Sequence, residues 1–133
     1  MPTSIDSIVE VAVSAYLLLV ALLVGSFINL AADRLPRHES LVNPRSHCRA
    51  CGRQLNVVDL IPIGGYLIRR GRCASCGVSI GASSPAVEAF CGALMLAPLV
   101  LFGLVLGAAV GAAAVAFVGV AVVGLSFARA GGR

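Results

Sequence analysis

The chain has 133 residues, 59% of them hydrophobic and only 12% charged, with a mean hydropathy of +0.97. That balance is too apolar for an ordinary soluble domain of this length, so the chain reads as a membrane protein. Its formal charge of +4 sets ten basic residues, all arginine, against six acidic ones; there is no Trp, and the few Phe and Tyr are not interleaved with the arginines, which excludes the stacking surface of a single-strand nucleic-acid binder.

Met1 to Glu10 carries Asp6 and Glu10 but no basic residue, so it lacks the positive start of a secretory signal peptide. Val11 to Ala32 follows as twenty-two residues without a charge, a helix of about 33 Å that can cross a hydrocarbon core of about 30 Å. Residues 1–32 are therefore a short tail and a first transmembrane helix. The end of this span, Gly25-Ser26-Phe27-Ile28-Asn29-Leu30, is small and polar enough for another helix to approach closely, with Asn29 a packing or headgroup-level residue.

Residues 33–88 form the polar part of the chain and hold both histidines and eight of the arginines. Leu35-Pro36 ends the first helix, because proline lacks the N–H and disfavours helix in the residue before it. Two Cys-x-x-Cys-Gly units, Cys48 to Gly52 and Cys73 to Gly77, recur at an offset of twenty-five residues. Four thiolates at this spacing suit a tetrahedral, structural Zn²⁺, one tight turn aiming each pair at the ion. The glycine after each pair suits a backbone that curls around the metal at positive φ, so two similar knuckles related by a local pseudo-twofold are expected. Disulfides are the alternative, as is Fe²⁺ for the metal, and His47 is the alternative ligand to Cys48. Between the pairs, Asp59-Leu60-Ile61-Pro62-Ile63 and Tyr66-Leu67-Ile68 suit either short strands or a membrane-facing surface. Arg69, Arg70 and Arg72 form a basic cluster suited to phosphates, lipid headgroups or an acidic partner.

Residues 89–133 begin with a run of forty uncharged residues to Ala128, about 60 Å as helix and twice what a bilayer requires, so a helical hairpin is expected. Gly103, Gly107 and Gly111 repeat every four residues; either they form a close-packing face or one marks the turn, near Gly107. Cys91 reads as a buried small hydrophobe. Arg129 and Arg133 close the chain. The arginine-rich loop stays cytoplasmic by the positive-inside rule, which puts the N-terminus outside and the C-terminus inside the plasma membrane. The fold class is thus a mainly α integral membrane protein, with three transmembrane helices and a small zinc-ribbon-like cytoplasmic loop between the first and second. A reducing cytoplasm favours metal over disulfide.

With these motifs in hand, the chain resembles the N-terminal part of the type IV prepilin peptidases, integral-membrane aspartic proteases that process pilin and type II secretion precursors. The resemblance runs from about Gly25 to Glu88 and is carried by Gly25-Ser26-Phe27-Ile28-Asn29, Arg34-Leu35-Pro36, both cysteine pairs, Asp59-Leu60-Ile61-Pro62, Leu67-Ile68-Arg69-Arg70-Gly71-Arg72 and Pro85-Ala86-Val87-Glu88. It implies that Cys48, Cys51, Cys73 and Cys76 match the family's metal-binding tetrad, and that S-adenosylmethionine is the methyl donor of an associated N-methyltransferase. No Gly-x-Gly-x-x-Gly loop supports that cofactor. The sequence departs from the family at Asp33, Arg49, Gly65 and Ser83-Ser84. The family's two catalytic aspartates lie in later helices, whereas this sequence has no acidic residue after Glu88, and Asp33 and Asp59 match neither position. An aspartic protease needs two carboxylates sharing a proton, so no catalytic residue is assigned. The expectation is a non-proteolytic membrane subunit in prepilin processing, with a prepilin or a separate catalytic half as partner. The alternatives are a stand-alone prepilin N-methyltransferase and a zinc-stapled adaptor or relic.

Overall fold

A computed structural model describes residues 4–131; Met1 to Thr3, Gly132 and Arg133 lie outside the described residues. The first helix, α1, runs Ser4–Arg34 over 31 residues. Nothing between Ser4 and Val24 is Gly or Pro, so the helix starts ahead of the uncharged run and takes in most of the expected tail. Asp6 in its first turn and Arg34 in its last both suit the helix dipole. At Leu35–Arg37 the chain tightens into a 3₁₀ turn around Pro36, and His38 closes it in the left-handed region at φ 57°, donating its N–H to the Leu35 carbonyl at 3.0 Å.

After the loop, helix α3 spans Ser83–Gly131 and is broken at Gly103, whose φ of 75° and ψ of −176° no helix contains. The arms on either side fold back on each other. A Cβ built on Gly107 would lie 2.5 Å from the Pro98 carbonyl oxygen, and one on Gly111 would lie 2.8 Å from Met95 Sδ. The expected hairpin is therefore present with its turn at Gly103 instead of Gly107, while Gly107 and Gly111 supply the close-packing face.

Helix α1 packs against both arms through the same device. A Cβ on Gly25 would come within 2.8 Å of Glu88 Cα, one on Gly92 within 2.8 Å of Leu22 Cδ2, and one on Gly119 within 3.2 Å of Ile28 Cδ1. Around these contacts sits a small core of Ala21, Ile28, Cys91, Met95, Leu99 and Val115, with Cys91 fully enclosed. The outward faces stay apolar: Leu101, Val105 and Phe117 are each more than two-thirds exposed. Long helices that are oily outside and joined by small residues inside are what a bilayer selects. Ile5–Arg37 and Ser83–Gly131 are both long and apolar enough to cross a membrane.

Candidate metal centre

The loop between α1 and α3 has no extended strand among the described residues. Its one short helix, α2, is Gly64–Ile68, preceded by a 3₁₀ turn at Val58–Leu60. Its order comes from two knuckles that repeat bond for bond. In the first, Gly52 donates its N–H to the Cys48 carbonyl, Cys48 to Arg53 and Leu55 to Ser46, each at 2.8 Å. Twenty-five residues on, Gly77 donates to Cys73, Cys73 to Val78 and Ile80 to Gly71, at 3.0, 2.9 and 2.7 Å. The bridges His47 with Gln54 and Arg72 with Ser79 match in the same way. Gly52 and Gly77 have φ of 72° and 69°, with open space where a Cβ would go, so conformation and not crowding requires glycine there.

The knuckles bring the four expected cysteines together. Cys48 Sγ lies 3.8 Å from Cys76 Sγ, Cys51 Sγ lies 3.9 Å from Cys73 Sγ, and all four sulfurs fall within 4.8 Å of one another. A tetrahedron with metal–sulfur bonds of about 2.3 Å has edges of about 3.8 Å, so the donor set fits a zinc-sized ion. A disulfide needs about 2.05 Å, and none of the five cysteines is bonded in that way. His47 is not among the clustered ligands; its ring Nδ1 lies 3.0 Å from the Arg45 carbonyl oxygen instead.

Backbone N–H groups already prepare one sulfur for metal. Those of Cys76 and Ser75 point at Cys73 and pull its thiol down to about 6, against the opposing effect of burial. For Cys51 the Arg53 N–H also pulls down, but the Cys76 thiol, burial and the Cys48 and Cys73 thiols together push it up to about 11. Four sulfurs this close cannot all ionise without a cation among them.

Behind the sulfurs lies a carboxylate that sequence reading left without a role. Asp59 is 6% exposed and accepts from Arg69 Nε at 2.6 Å and Arg53 Nη2 at 2.8 Å. It also accepts the Asn56 N–H at 3.0 Å, while the Asn56 side chain accepts the Asp59 N–H. Burial alone would raise this carboxyl, but the Asn56 N–H and the two guanidinium groups hold it below the usual aspartate range. Arg53 also lies within electrostatic reach of Cys73, so carboxylate, arginine and thiol share one charged neighbourhood. Of the basic cluster, Arg69 is thus bound internally, whereas Arg70 and Arg72 are exposed and make no ion pair among the described residues. Asp33 pairs with Arg37 and Arg49 at the end of α1, tying the first knuckle to the helix.

The loop is seated on α3 by Glu88. This residue, 5% exposed, accepts the Ile63 N–H at 2.6 Å on one carboxylate oxygen and the Ser84 hydroxyl at 2.8 Å on the other. Ile63 has φ 57° and ψ −47°, and the Gly64 N–H reaches back to the Pro62 carbonyl, making a γ-turn that a β-branched residue adopts only under strain. Between the loop and the helix ends lies a cleft of about 1530 Å³, lined in part by Asn29, Arg34, Tyr66, Ser84, Glu88 and Ser126. Arg34 is itself buried and donates to the Ser40 carbonyl at 2.8 Å.

Against known proteins, a family model described as the bacterial peptidase A24 N-terminal domain matches residues 19–102. A prepilin leader peptidase/N-methyltransferase of Myxococcus xanthus is 41% identical over 90 residues, which is 68% of this chain and 27% of that protein. The enzyme of the same name from Bacillus subtilis is 40% identical over 87 residues, 65% of this chain and 35% of that protein. An Escherichia coli type 4 prepilin-like proteins leader peptide-processing enzyme is 34% identical over 98 residues, 59% of this chain and 36% of that protein. The matched region thus spans about a third of these relatives. No solved structure matches.

Proposed function

Because the chain belongs to the family of bacterial peptidase A24 N-terminal domains, we propose that it serves prepilin processing as a non-proteolytic, zinc-stapled membrane subunit. In this reading α1 and the two arms of α3 are three transmembrane spans of the plasma membrane. The start of α1 lies outside; the cysteine loop and Arg129, in the last turn of α3, lie on the cytoplasmic side. Cys48, Cys51, Cys73 and Cys76 hold Zn²⁺, which supplies folding free energy to a loop too small to bury a sufficient core.

The observation that carries the reading is the cleft between the stapled loop and the helix ends. It is polar on the loop side and apolar toward Leu23 and Phe27, a shape suited to a prepilin segment leaving the membrane. Peptide cleavage needs two carboxylates sharing a proton. Residues 89–131 offer none; in this proposal the aspartates belong to a catalytic half outside these residues, against which the bundle docks.

Affinity purification from native membranes in mild detergent, with mass spectrometry of what co-purifies, tests this. Recovery of a small membrane peptidase carrying Gly-x-Gly-Asp is the expected result. Recovery of no peptidase and no prepilin, with the protein stable and metal-loaded alone, would sink it.

A further inference from the structure

We infer that the loop itself enters the membrane surface, residues 57–68 forming an interfacial anchor that faces anionic lipid. The inference rests on the membrane-spanning reading of α1 and α3 given above, and it concerns the exposed apolar side chains of this segment, which neither the metal centre nor the spans use.

Depth is the first observation. The contacts of Gly25 with Glu88 and of Gly92 with Leu22 fix the register of α1 against the first arm of α3. In that antiparallel register the start of the arm, at Ser83, is level with about Leu30. The uncharged run of α1 ends only at Ala32, followed by Asp33 and Arg34. Glu88, opposite Gly25, therefore lies about 10 Å inside the polar boundary, at 1.5 Å per residue. Ile63 is held 2.6 Å from the Glu88 carboxylate, so the strained turn draws the segment down with it. Consistent with this height, Leu60, Ile61 and Ile63 share the cleft with Leu23 and Phe27 of the membrane helix.

Facing is the second. Within α2 the inner side is committed: Gly65 is buried, with the Asp59 carbonyl oxygen 2.6 Å from where its Cβ would stand, and Arg69 just beyond is held by Asp59. In and just before α2, Leu60, Ile61, Leu67 and Ile68 nevertheless remain 52, 45, 66 and 59% exposed. Four large aliphatic side chains in water would be a liability; at the boundary of headgroups and acyl chains they are what an interfacial segment carries.

Charge is the third. Arg70 and Arg72 follow this face, exposed and without an ion pair among the described residues. In this placement their guanidinium groups meet lipid phosphates, as arginines do at an anionic leaflet. Depth, apolar facing and unpaired positive charge together select the lipid headgroup region as the occupant.

The chain contains no Trp, so one introduced Trp is a unique reporter. Full-length L67W, A50W and F117W, each matching the parent in helicity and monodispersity, are reconstituted into phosphatidylcholine–phosphatidylglycerol vesicles brominated high on the acyl chain. A50W sits on the first knuckle, beside Arg49 and Asp33, and F117W lies on the exposed face of the second arm. L67W should be quenched at least about twofold more than A50W, approaching F117W. Quenching of F117W with L67W no different from A50W overturns the inference and leaves the spans standing. An unquenched F117W overturns the spans and the inference with them. I68W, at the adjacent exposed position, replaces L67W if that variant misfolds.

Discussion

Removing the Asp59 carboxylate leaves the Arg53 and Arg69 guanidinium groups beside one another with nothing to balance them. D59A should cost the loop about 2–3 kcal/mol, the value of charge-assisted hydrogen bonds lost from a buried acceptor, read as a lower thermal midpoint for the loop. The sign of the pH effect follows from the depressed carboxyl. Its stabilisation is complete above the ordinary aspartate value near 3.9 and is lost as pH falls through the lower folded value. D59N should therefore remove the Asp59 share of the acid sensitivity below about pH 4 and leave the pH dependence from about 5 to 8, which the thiols set, as in the parent. G52A and G77A should each cost about 1–2 kcal/mol, because only the left-handed backbone opposes a Cβ there. The matched geometry of the knuckles predicts matched losses of zinc affinity, measured by chelator competition. The cysteine tetrad was legible because each ligand pair is contiguous and the glycine after it is fixed by local backbone. The roles of Asp59 and Glu88 were not, since the partners that decide them, Arg53, Arg69 and Ile63, lie 6, 10 and 25 residues away.

Among the elements, the hairpin separates two uses of glycine that look alike in sequence. At Gly103 the backbone turns with open space around it; at Gly107 the opposite arm leaves no room. G107V should splay the arms and lower the detergent-unfolding midpoint more than G103A, which faces only a strain of about 1–2 kcal/mol. Equal loss at both positions would contradict this packing. The spacing of four announced a close helix contact, but which glycine turns the chain was decided by Pro98 and Met95 on the facing arm. Likewise, Asp6 and Glu10 looked like the end of an element, yet charge alone does not break a helix whose first twenty-one residues, Ser4 to Val24, contain no Gly or Pro. The structure carries α1 through both.

For the whole molecule, the helices and the loop draw their stability from different sources, so chelation should separate them. Metal removal should abolish protection of loop amides in hydrogen exchange while far-UV circular dichroism keeps nearly all its helical signal, because helix in the loop is confined to α2 and the short 3₁₀ turns. E88A should act between these two parts: exchange rises around Ile63 and α2, and the tetrad keeps its ion. The last consequence comes from the order of pieces along the chain. In the interfacial placement proposed above, the segment at the lipid surface is also the tether joining the two cysteine pairs. A tether fixed at its middle restricts how far the pairs can diffuse apart, raising the effective concentration of each for an ion already held by the other. Bilayer and metal are then linked ligands of one chain, and linkage is reciprocal: whatever factor the lipid adds to metal affinity, the metal returns to lipid affinity.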